Sequence, residues 1–314
     1  MSIIQLLFYN NPTSLEVTGG IKYTPGNGYI YHVFLEPGSF DVTNGPITAE
    51  MLLVAGGGSG GYAPGYGTGG GGAGGVRNIT SIPVGDGFYP VVVGSGGLSP
   101  GTSMSAGSPS SALGYESIGG GRGNGTTSAI TPENNGGSGG GNTTTPPSGS
   151  VPLSGVGIPG QGNSGGLGYG PPLSGAGGGG GGRGVTGSNG SQGTPTSYAQ
   201  AGKGGNGSPF PAYAAPLFPD MPADWATAVG ANGYYGGGGG GGNANNPSSA
   251  FLTTASGGLG GGGSGYNWRP SSPPNLVATP STPGVDYTGG GGGGGNESNL
   301  RSGGTGIVII RYAV

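Results

Sequence analysis

MLLVAGGGSGGYAPGYGTGGGGAGG, residues 51–75, runs five apolar residues straight into glycine. The apolar part, 51–55, reads as a buried strand. From there to Gly306 the chain returns repeatedly to glycine runs, and it leaves through GIVIIRY, residues 306–312, a second strand of the same kind. Two strands therefore bracket a glycine-built stretch. The expectation is that 51–55 and 306–312 lie side by side as the gates of one closed domain.

Glycine supplies 88 and proline 28 of the 314 residues. Without a strict period, that composition ordinarily means low complexity or disorder. Charge opposes this reading, because only 6% of residues are charged and no like-charge block exists. The net charge of −3, with Arg122, Arg183 and Arg301 standing alone in their runs, argues against nucleic acid as a partner. There are no cysteines and one histidine, which removes thiolate metal sites, most zinc sites and triad chemistry. No metal or cofactor is expected, and no catalytic residue. No apolar run approaches the roughly 20 residues of a membrane span, so membrane insertion is not expected. The opening MSIIQLLFYNN lacks a basic n-region and a small-residue cleavage site, which predicts a protein made in the cytoplasm without a signal peptide.

Residues 1–55 are glycine-poor and rich in β-formers. Strands are predicted over 3–9, 16–18, 21–23, 29–35, 40–43 and 49–55, divided by turn signals such as Asn10-Asn11-Pro12, Gly19-Gly20 and Pro37-Gly38. Two more follow at 76–82 and 88–93, with Pro90 confining the second to a sheet edge or a bulge. The reading is a small antiparallel β module over 1–55, with an outer limit near Gly94, then a glycine-rich domain over 56–314 closed by a strand at 306–313. Only 223–231 has helical composition, enough for a turn or two, so the fold class is all-β plus irregular structure with essentially no α-helix.

Some eleven glycine runs of similar length recur between 56 and 306. A glycine run can form a left-handed threefold rod of polyproline-II type, rising about 3.1 Å per residue with no internal hydrogen bonds. Every N–H and C=O then points outward and needs a partner. One rod alone would not survive the entropy glycine loses on ordering. Many rods packed together satisfy one another, so the number of runs argues for a bundle of polyglycine II helices joined by loops. A flexible linker is the competing reading, and the bracketing strands favour the bundle.

MLLVAGGGSGG, GGGGAGGV, VVVGSGG, the repeated GGGGGG blocks and the terminal GGTGIVIIRYAV together resemble the glycine-rich domain of phage tail-fibre proteins. IKYTPGNGYIYHVFLEPGSFDV is similar to the lead-in strands of that family, of the marine and cyanobacterial phage type. The glycine core also resembles the distal adhesins of T-even-type phages, in which loops between glycine rods contact the host. Residues 1–20 do not match the attachment region of those adhesins. The resemblance implies a virion protein, non-enzymatic, acting as a tail-fibre adhesin or tip for host attachment. Implied partners are other fibre or tail proteins and a host surface glycan or outer-membrane protein, with a homotrimer among the assemblies. A virion decoration or rigid fibre spacer without receptor contact is the alternative. An ice-binding protein is a third, weakened because the runs lack regular G-x-x triplets.

Residues 56–61 satisfy GxGxxG after a strand, but Tyr62-Ala63-Pro64 cannot open the helix a dinucleotide site requires. His32, within YIYHVFL, reads as a structural strand histidine. The carboxylates are scattered, without a paired-acid signal. The strongest functional signal is aromatic: Phe210, Tyr213, Phe218, Trp225, Tyr234 and Tyr235 in 208–235, and Tyr266, Trp268 and Tyr287 in 266–288. Such rings supply contact area at low entropic cost with a polar handle, which makes them candidate receptor contacts. The competing role is to cover a core that has no side chains of its own.

Overall fold

The two apolar runs that bracket the glycine pair with each other. In the computed structural model, which describes residues 14–125, 130–143, 153–170, 175–191, 199–243, 254–267, 278–296 and 301–314, the last strand is inserted at the centre of a five-stranded antiparallel sheet. That sheet has the order β2 (Ile21–Tyr23), β3 (Tyr29–Phe34), β12 (Ile307–Ala313), β5 (Ile47–Val54), β6 (Val76–Val84). Ile307 faces Val54 and Tyr312 faces Ala49 across one ladder, and Val308 faces Phe34 across the other. The gates expected to be neighbours are direct partners, and the strand that ends the glycine-rich stretch completes the sheet begun before it. The strand read over 3–9 lies outside the described residues.

A second sheet, β1 (Glu16–Thr18), β4 (Gly38–Thr43) and β7 (Gly87–Val91), packs on one face of the first. Alternation sorts the side chains. Ala49, Met51, Leu53, Val308 and Ile310 point to Val17, Phe40, Val42 and Val91 of the smaller sheet. Leu52, Val54, Ile307 and Ile309 point to the opposite face, which is also covered. A sheet buried on both faces needs strands that are apolar throughout, which is why MLLV and IVII show no alternation. Pro90 sits on β7 at the edge of its sheet, where a missing N–H breaks no ladder. Two short pairs were not legible in the sequence: β8 (Ser110–Ala112) with β9 (Tyr115–Ser117), and β10 (Ser208–Pro209) with β11 (Tyr234–Tyr235).

The glycine runs form rods whose hydrogen-bond directions repeat every third residue. In 69–75, Gly69, Gly72 and Gly75 donate to Asn124, Gly121 and Ile118 on one neighbour, all at 2.8 Å. Gly70 and Ala73 donate to Gly178 and Gly181 on a second, and Gly71 and Gly74 to Gly292 and Gly289 on a third. Its carbonyls accept from three further rods, through Gly58 and Gly61, Ser138 and Gly141, and Gly239. This is the symmetry of the threefold extended helix. Each interior rod thus meets the full backbone demand of its residues through neighbours on all sides. A Cβ on Gly70, Gly71 or Gly72 would land on the carbonyl oxygen of Gly239, Gly58 or Ser138, so close packing, not turn formation, requires glycine there.

Rods run away from the sandwich and return to it in alternation. The outgoing segments 56–61, 119–125, 136–142, 236–242 and 289–295 are glycine runs. Many returning ones, such as 105–109, 278–284 and 301–304, carry serine, proline, valine or arginine and were not legible as rods. Of these, 105–109 and much of 278–284 lie on the outside, where some directions face solvent and tolerate a side chain. The isolated arginines secure rods. Arg183 Nε donates to Val76 O at 3.0 Å, fully buried Arg301 donates to Gly60 O and Gly101 O, and Arg122 pairs with Glu133 at 2.8 Å.

Gly71→Ala is expected to cost at least about 3 kcal/mol, the upper end of overpacking penalties, because its Cβ meets backbone that cannot withdraw. Gly85→Ala, where an added Cβ meets nothing, is expected to change stability by less than about 0.5 kcal/mol. Chemical denaturation of the two variants checks the contrast.

Candidate functional site

Residues 208–235 interrupt the rods and fold back over the free face of the five-stranded sheet. Pro211, Pro216 and Pro222 cut the segment into single turns, Pro211–Tyr213 and Ala215–Leu217, followed by a short helix α1 (Ala223–Val229). Trp225 is 1% exposed and donates its indole N–H to Tyr287 O at 3.0 Å. Phe218 packs edge-on against Tyr23 and Tyr31 of the sheet, at 5.3 and 5.4 Å between centroids. Tyr235 Oη donates to Tyr213 O at 2.9 Å. Burial pushes the phenols of Tyr213 and Tyr235 well above the ordinary tyrosine range.

Arg311 pins this cap from the sheet side. Its guanidinium pairs with Glu50 and lies over the rings of Tyr29 and Tyr213, at 4.2 and 5.2 Å. Burial alone would lower its pKa, and the hydrogen bonds that it donates to the Glu50 carboxylate and to Tyr31 Oη reverse that, leaving it raised.

The nine aromatic candidates therefore separate. Burial removes Tyr213, Phe218, Trp225 and Tyr235 from any contact surface; they are the core between cap and sheet. Phe210 is half-buried at the margin of the same cluster, Tyr234 is half-buried on β11 opposite Pro209, and Tyr287 packs beside the cluster at the sandwich end of the rods. Tyr266 alone among the described candidates stands at the opposite end, half-buried, its N–H bonded to Gly294 O. Trp268 lies outside the described residues.

That far end is the second candidate region. The rods terminate there in polar side chains: Asn124 Nδ2 donates to Asn142 Oδ1 at 3.1 Å, and Thr143 Oγ1 to Gly67 O at 2.6 Å. Amide and hydroxyl groups close rod ends whose backbone has run out of neighbours. Tyr62, Tyr66, Tyr169 and Tyr266 are half-buried or exposed around this end. At the sandwich end, by contrast, the rods are joined by tight turns at 158–161, 183–185 and 259–261. The glycines of 56–61 form a rod and no helix follows them, so the GxGxxG match has no phosphate-binding geometry.

His32 is fully buried between Phe40 and Tyr312. Its Nδ1 lies 2.7 Å from Gly19 O, and because a carbonyl only accepts, Nδ1 carries the proton. The ring lines a cavity of 630 Å³ with Val17, Ile30 and Tyr312. Burial lowers its pKa below the ordinary value. Among the described residues no group of three or more His, Cys, Asp or Glu side chains could hold a metal ion.

A family model described as a glycine-rich domain matches residues 36–313. No curated protein matches the chain.

Trp225→Ala is expected to cost about 3–5 kcal/mol, as for a fully buried aromatic, and Tyr266→Ala about 1 kcal/mol or less; thermal and denaturant unfolding distinguish the two roles. The unfolded chain protonates His32 below its ordinary pKa near 6.5 while the fold resists it. The melting temperature is therefore expected to fall as pH drops below about 6.5, and His32→Gln to flatten that slope in a pH series of melts.

Proposed function

The chain belongs to the glycine-rich domain family, and from that premise we propose that it is a non-enzymatic phage virion protein, a tail-fibre adhesin or tip that recognises the host surface. The observation that carries this reading is polarity. Connections at the sandwich end are tight turns or are packed onto the sheet, while the polar and tyrosine-bearing connections gather at the far end. A rod bundle with one anchored end and one presenting end suits a particle that must hold variable loops away from its body. Connecting segments on a rigid scaffold are where binding residues concentrate. The resemblance of the lead-in strands and terminal GGTGIVIIRYAV to phage tail-fibre proteins supports the same reading. Receptor contact then belongs to the far-end connections, among them 62–68, 98–104 and the region of Tyr266, and not to the cap.

A rigid spacer or decoration without receptor contact is the second reading, favoured by one observation: four of the nine aromatic candidates are core. Other fibre or tail proteins are the partners in both readings.

Exchanging the far-end connections between related phages is expected to transfer host range. Exchanging exposed residues of the cap is expected to leave it unchanged. Unaltered adsorption after the far-end exchange, with the protein present on the particle, would leave the spacer reading.

A further inference from the structure

Two far-end connections are described in full, 62–68 and 98–104, and they form one surface. The Tyr62 N–H meets Met104 Sδ at 3.1 Å. Just below, the Ser105 N–H donates to Ser59 Oγ and the Leu98 N–H to Ser105 Oγ. Beneath both connections lies Arg301. Its guanidinium donates to Gly101 O at 2.8 Å and stacks at 4.6 Å from the centroid of the Tyr62 ring. One buried cation thus fixes the backbone of one connection and the ring of the other.

What this surface presents is uncharged. Tyr62 and Tyr66 are partly exposed, Pro64, Pro100, Thr102 and Ser103 are exposed, and Leu98 is 64% exposed. Neither connection contains Asp, Glu, Lys or Arg. Arg301 is fully buried and its charge is directed at carbonyl oxygens, so it offers nothing to an anion arriving from solvent. Charge is concentrated at the other end of the molecule, where Lys22, Glu36, Asp41, Asp86, Asp220 and Asp224 lie in the sandwich or cap.

The chemistry that fits is a ring with an apolar face and hydroxyl edges. Tyrosine provides a flat apolar surface with a polar tip, and Thr102, Ser103 and the adjoining backbone provide donors and acceptors at its margin. A carboxylated or phosphorylated ligand would be desolvated here without a cation to pair with, which is costly. We propose that 62–68 and 98–104 form a platform for an uncharged saccharide, with Tyr62 and Tyr66 as the stacking surfaces; this rests on the adhesin reading above.

The purified full chain is applied to an array of neutral, carboxylated and phosphorylated oligosaccharides. Binding is expected to be confined to neutral sugars. Raising the salt from about 0.05 to 0.5 M is expected to change affinity less than about twofold, since no ion pair is there to be screened. Tyr66→Ala, which leaves the Tyr62–Arg301 stack intact, is expected to lower affinity about three- to tenfold, the worth of one aromatic contact, at an unchanged melting temperature. Binding only to anionic sugars, a steep salt dependence, no binding to any sugar, or full affinity in Tyr66→Ala would each overturn the proposal. Treated cells separate this failure from failure of the adhesin reading. If host range follows the far-end exchange, but adsorption survives periodate oxidation of surface sugars and is abolished by protease, the adhesin reading stands and the saccharide is excluded.

Discussion

Everything in this molecule depends on backbone groups satisfying one another between rods. In an ordinary core, side chains exclude water and the hydrogen bonds inside helices and sheets look after themselves. Here the order is inverted. Gly69 through Gly75 present N–H groups in three directions in turn, and each direction holds a different rod. Removing one neighbour would expose a line of donors or acceptors at every third residue, each of which costs free energy if it stays buried without a partner. The rods are therefore cooperative across the chain axis, although nothing within a single rod holds it together. Glycine loses more freedom on ordering than any other residue. Only the density of contacts that it permits offsets this, including the close Cα–H···O approaches at which any Cβ would collide.

Such a lattice needs a fixed start, and the sandwich supplies it. β5 delivers the chain into the first rod at Gly56, and β12 receives it from the last at Gly306. Because these two strands are paired, the entry and exit rods are held in register: Gly57 N–H bonds to Gly304 O and Gly60 N–H to Arg301 O. β6 sets the return of 69–75 in the same way, its Val76 following directly on Gly75. Side-chain packing thus sets positions from which backbone packing propagates. The cap over the second sheet face belongs to this logic. A sheet whose strands are apolar on both faces must be covered on both, and with the smaller sheet on one face the 208–235 segment covers the other.

The described strands of the two packed sheets were legible, because β-formers and turn residues carry local signals: 16–18 and 21–23 appear where they were read. The glycine rods of the interior were legible for a different reason, since only glycine allows that spacing. Outer rods such as 105–109 and 278–284 were not, because a rod with solvent on one side accepts Ser105, Pro109 or Pro283 and loses its compositional signature. The aromatic cluster was seen but given the wrong partner. From sequence, the rings of Phe218 and Trp225 stand more than 160 residues beyond β5 and more than eighty before β12, and nothing local says that they meet. A doubly apolar strand is nonetheless a demand for two covering layers, and 208–235 is the glycine-poor segment inside the rods with the most apolar and aromatic residues to provide the second. That inference was available from residues 51–55 and 306–312 alone.

The same inversion explains how the molecule can combine a rigid interior with connections that are free to change. In a side-chain core, an altered loop often shifts the residues that it connects, and neighbouring side chains must repack. Here the interior contacts of a rod are made by atoms that every residue possesses, so they do not change when the connection beyond the rod does. Lengthening a connection adds only the slowly growing entropy of loop closure, and the polar rod ends at Asn124, Asn142 and Thr143 already close the lattice beneath it. The constraint falls instead on the rods, where even Gly→Ala is excluded at interior glycines such as Gly70, Gly71 and Gly72. Sequence freedom at one end and near-complete restriction behind it are two consequences of a core built from backbone.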